Sequence, residues 1–87
     1  KIKVKAGNNI NYVVPQYLNN DQDEDVTFKF RVKKPLLNQR LVIKSNDEIL
    51  YKIVKPVLIP SEMVMIKLSH DKLAPAKDEL ELYLEDI

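Results

Sequence analysis

The 87-residue sequence predicts an all-β fold: a seven-stranded antiparallel immunoglobulin-like β-sandwich, with a small β-barrel as the alternative. Three observations carry this prediction. Val26, Phe28, Phe30 and Val32 alternate without a break against Thr27, Lys29, Arg31 and Lys33. In a strand that period makes one apolar wall and one cationic wall. The same two-residue period recurs along the chain, with hardly any helical periodicity to compete. Turn signals cut the chain into short segments whose connections leave no room for a crossover helix, so antiparallel pairing is expected throughout.

Residues 1–5 and 9–14 read as two short strands around Ala6-Gly7-Asn8, and the single glycine, Gly7, is expected to supply a positive φ there. Pro15 ends the second strand, because proline cannot donate to a ladder. Residues 16–24, with Asn19-Asn20-Asp21-Gln22-Asp23-Glu24, read as a polar loop. The strong strand covers 25–33 and stops at Pro35. After Leu36-Leu37-Asn38 come strands at 39–45 and 48–55, joined by a tight turn at Asn46-Asp47, whose side chains tolerate left-handed backbone.

Pro56 and Pro60 bracket Val57-Leu58-Ile59 as a short edge segment, and 62–69 alternates again. Residues 69–75 form a connection with room for one helical turn. The last segment, 78–86, has helix-forming composition from Ala76 to Leu82. Its leucines at 80, 82 and 84 would be smeared around a helix but share one face of a strand, so strand is expected. The predicted core is Val26, Phe28, Phe30, Val32, Leu41, Ile43, Ile49, Tyr51, Ile53, Val64, Ile66, Leu68, Leu80, Leu82 and Leu84.

Eighty-seven residues make one domain, 1–87. With 45% hydrophobic and 31% charged residues the composition is globular. Fourteen Lys and Arg against thirteen Asp and Glu leave a formal charge of +1, which argues against nucleic acid or an anionic membrane as partner. No cysteine is present, which excludes a thiolate site and favours a cytoplasmic setting. The chain starts at Lys1 already in strand alternation (Ile2, Val4), and is expected to be a piece of a longer protein.

Candidate chemistry is sparse. Asp21, Asp23 and Asp25 alternate as calcium ligands do, but the sixth and twelfth positions counted from Asp21 hold Val26 and Val32 where a calcium loop needs Gly and Glu. His70, the only histidine, stands between Ser69 and Asp71; three consecutive residues do not converge as a triad, and one histidine without cysteine makes no zinc site. Lys29, Arg31, Lys33 and Lys34 form a basic stripe without interleaved aromatics for base stacking, and Glu79, Glu81 and Glu85 an acidic one. Both read as solvated faces. One glycine cannot build a phosphate-cradling loop. Met63, Met65 and Tyr83 fall on outward positions, with Leu50 and Val54 beside them, and are the candidate interaction surface.

The stretch Gly7-Asn8-Asn9-Ile10-Asn11-Tyr12-Val13-Val14-Pro15-Gln16 resembles the segment after the flavin domain in bacterial FAD-dependent pyridine nucleotide-disulfide oxidoreductases. Phe30-Arg31-Val32-Lys33-Lys34-Pro35 and Ile59-Pro60-Ser61-Glu62-Met63 resemble the body of the same C-terminal extension. The resemblance implies a parent flavoprotein that uses FAD and NAD(P), with this chain as its small all-β tail. No catalytic, cofactor-binding or metal position carries over, so no activity is expected of this chain alone. The implied role is packing against the remainder of the parent, a partner subunit or a second copy. An independent immunoglobulin-like binding module of a surface protein is the alternative.

Overall fold

The computed structural model describes residues 1–20 and 23–87. Eight strands and one helical turn follow in order: β1 (Ile2–Ala6), β2 (Ile10–Val14), β3 (Tyr17–Leu18), β4 (Val26–Val32), β5 (Leu36–Ser45), β6 (Glu48–Leu58), β7 (Val64–Leu68), α1 (His70–Leu73) and β8 (Glu79–Asp86). They make two facing sheets, one of five strands in the order β3-β1-β8-β5-β6 and one of three in the order β2-β4-β7. The all-β sandwich is as expected, and the two sheets do not close into a barrel.

The inner faces meet where the alternation places them. Phe28, Phe30, Leu41, Ile43, Leu80 and Leu82 are essentially removed from solvent. β4 and β7 pair in unbroken register, Phe28 opposite Ile66 inside and Lys29 opposite Met65 outside. The final segment is a strand, as its leucine spacing demands, and lies in the middle of the larger sheet between β1 and β5. Val26, Tyr51, Ile53, Val64 and Leu84 are partly buried and pack against the core.

Several expectations are corrected. Among the described residues there are eight strands, because Tyr17–Leu18, inside the expected loop 16–24, pairs with β1 and buries Leu18. The pairing is not wholly antiparallel: β1 and β8 run parallel, Val4 opposite Leu80. They are the first and last strands, so the whole intervening domain serves as their crossover and no helix is required. β5 begins at Leu36 rather than 39, and β6 continues through Pro56 to Leu58. Proline is tolerated there because β6 is an edge strand.

Ile49, expected in the core, is half exposed, whereas Leu50, expected outside, is buried. The cause is a bulge: Ile43 pairs with Tyr51 but Lys44 with Ile49, so Leu50 is the extra residue and the alternation slips by one. Gly7 does not adopt positive φ; Asn9 does, at 68°. Asn46 at 53° turns the β5–β6 hairpin where the Asx pair was expected. Val42 points away from the core yet is buried, in a row between Lys52 of β6 and Tyr83 of β8.

Candidate interaction surface

The smaller sheet carries Met65, and Met63 stands just before it. Met65 stands on the outer face of β7, 61% exposed, with Lys29 beside it and Val14 beyond Lys29. Met63 precedes β7 and is 40% exposed. Tyr83 lies elsewhere, on the outer face of the larger sheet, half-buried against Val42 with the Lys44 ammonium 5.4 Å from its ring centre. The three residues named from the sequence therefore divide between two sheets. Val54 is exposed on β6, and Leu50 belongs to the core.

Two residues that sequence reasoning passed over join the methionines instead. Val57 and Leu37 are paired across β5–β6, and both are more than half exposed. Strict alternation would turn them inward, as it does Gln39 and Leu41. Asn38, in left-handed backbone at φ 52°, and Pro56 face one another just inside this pair and reverse the two strands' faces beyond it. Leu36 and Leu58 then turn to the core, and Leu37 and Val57 to water. Asn38 and Pro56 were the available signal, since Asn tolerates left-handed backbone and Pro cannot donate to a ladder, but their facing one another is visible only in the structure. Val57, Leu58, Ile59, Met63, Val64 and Met65, with Lys55 and Glu62 at the same place, line a depression of about 190 Å³ at this end of the sandwich.

Arg31 from the basic stripe helps build that end. Its guanidinium donates to the carbonyls of Ser61 at 2.7 Å and Pro60 at 3.3 Å, which fixes the β6–β7 connection over the sheet. Lys67 lies 3.8 Å from Asp25. The acidic stripe sits on the other surface, in the larger sheet, between the basic strands β1 and β5. There Lys5 reaches Glu79 at 3.7 Å and Arg40 reaches Glu85 at 2.9 Å. Neighbouring strands thus neutralise that face.

Ser69 and His70 have local partners. The Ser69 hydroxyl accepts from the Lys72 amide and caps α1, so it faces its own helix. His70 places Nδ1 3.5 Å from Asp25 and Nε2 3.4 Å from Asp71. Asp21 lies outside the described residues, and among those described no group of three metal-ligating side chains occurs. A wide depression beside Gly7 is lined by Lys5, Lys33, Lys44, Glu81 and Tyr83. Glu81 there pairs in register with Lys5 on one side and Lys44 on the other.

The two buried polar side chains among the described residues are structural. Gln39 donates to Asp86 at 2.6 Å and to the Leu37 carbonyl. Ser45 Oγ accepts from the Lys77 amide at 2.8 Å and shares its proton between the carbonyls of Lys77 and Glu79. Among the described residues no buried side-chain nitrogen or oxygen lacks a partner. No helix of the described residues is long and apolar enough to cross a membrane. Comparison with protein-family models, curated proteins and solved structures finds no match to this chain.

Proposed function

We propose that this domain is a docking module without a reaction centre of its own. In the cytoplasmic flavoprotein oxidoreductase that the sequence resembles, it would pack against the catalytic domains or a partner subunit, with FAD and NAD(P) held there and not here. The observation that carries this reading is the exposed apolar group Leu37, Val57, Met63 and Met65 gathered at one end of the sandwich. Several large apolar side chains exposed at one end of a small domain mark a contact site. The polar groups elsewhere support it, since the buried ones are spent on neighbouring backbone and on Asp86, and the outer face of the larger sheet is internally charge-matched.

A photo-crosslinking residue placed at Val57 in the intact gene product, in its producing cells, is expected to form a single discrete adduct. The same residue at Glu81, on the charge-matched face, is expected to form none. Equal labelling from both positions, or from neither, would contradict the assignment of the docking end.

A further inference from the structure

Four strands end the two sheets: β3 and β6 in the larger, β2 and β7 in the smaller. An unpaired edge invites a further strand, and proteins blunt such edges with prolines, bulges, lysines or very short strands. Three of these edges are blunted. β3 has two residues. β2 shifts register between Ile10 and Val13 and is stopped by Pro15. β6 carries the bulge at Leu50 together with Lys52, Lys55 and Pro56. β7 has neither proline nor bulge, and all of Val64–Leu68 pairs in unbroken register with β4 on its other side. Its one lysine, Lys67, which lies 3.8 Å from Asp25, is the single blunting feature it carries.

We propose that β7 pairs with the β7 strand of a second copy, antiparallel about Ile66, joining two three-stranded sheets into one of six. This inference goes beyond the docking reading above: it concerns the β7 edge and shares only Met65 with the exposed apolar group of the docking end. In this register Val64 faces the second copy's Leu68, and Met65 faces the second copy's Lys67. The thioether chain of Met65 then covers the aliphatic stem of lysine, and no like charges stand opposite. A register centred on Lys67 sets two ammonium groups against each other, which directly opposed strand positions disfavour. One centred on Met65 leaves Leu68 unpaired. Centring on Ile66 uses every residue of the strand, and the interface is isologous, as two-fold dimers require. Leu37 and Val57 lie on β5 and β6 and stay free for a different partner.

Sedimentation equilibrium of the isolated domain tests the pairing. The weight-average mass should rise from 10.1 kDa toward twice that value as concentration approaches about 1 mM. Met65→Lys, an exposed substitution that opposes two pairs of like charges, should weaken the association about tenfold. The chain has no cysteine, so register can be read directly. An oxidised equimolar mixture of Met65→Cys and Lys67→Cys should yield a crosslinked heterodimer, and neither variant alone should crosslink to the same extent. A mass constant at one chain, an association indifferent to Met65→Lys, or crosslinking equal in the mixture and in either variant alone would overturn the proposal. A monomeric domain that still gives the Val57 adduct would leave the docking reading standing and remove only the self-pairing.

Discussion

Gly7 lies flat against Tyr83. A Cβ built at position 7 would sit 2.6 Å from the Tyr83 Cβ and 3.1 Å from both its Cα and the Leu82 carbonyl oxygen. The Gly7 amide donates to that same oxygen at 2.8 Å, so the loop after β1 is drawn onto β8 as closely as backbone allows. The only glycine is there for closeness, not for an unusual φ.

Gly7→Ala must therefore push the loop away from β8, since two of the three nearest atoms are backbone. Overpacking of this kind costs about 1–3 kcal/mol. Urea denaturation should show that loss, whereas Asn9→Gly, which relieves a positive φ, should change stability little. A Gly7→Ala loss no larger than that of Asn9→Gly would contradict the close approach of Gly7 to Tyr83.

The bulge in β6 makes a second prediction, in which two adjacent residues behave oppositely. Leu50→Ala removes a buried side chain and should cost roughly 2–5 kcal/mol. Ile49→Ser changes an exposed one and should stay within about 0.5 kcal/mol. Thermal unfolding of the two variants decides between the slipped register and plain alternation, which predicts the reverse order.

Ser45 ties the approach to β8 onto β5 through the backbone of Lys77 and Glu79. Ser45→Ala leaves the Lys77 amide without its acceptor, at a cost of roughly 1–3 kcal/mol. Hydrogen exchange at the Lys77 amide should accelerate in the variant. An unchanged rate would mean that this bond contributes nothing to holding the connection.

The wholly regular parts were readable from the chain alone. Phe28 and Phe30 alternate with charged residues, and Leu80 and Leu82 with glutamates, so period two is enough to set their faces. What the period could not reveal was where it breaks. Leu50, Asn38 and Pro56 each shift a strand's faces by one residue, and those shifts bury Leu50, expose Ile49 and bring Leu37 and Val57 to the surface beside the methionines. Tyr83 was grouped with Met63 and Met65 because all three are outward; outwardness does not say which of two sheets a strand joins. The parallel β1–β8 pair was missed for a related reason, since short connections between neighbours do not constrain how the two chain ends meet.

Methionine oxidation tests the docking assignment most directly, because Met63 and Met65 are the only methionines and both sit at the proposed contact. With dilute peroxide, both sulfurs of the isolated domain at low concentration should oxidise near the rate of free methionine. In the assembled gene product isolated from its producing cells, Met63 and Met65 should be protected severalfold. Equal oxidation rates in the isolated and the assembled forms would contradict the account.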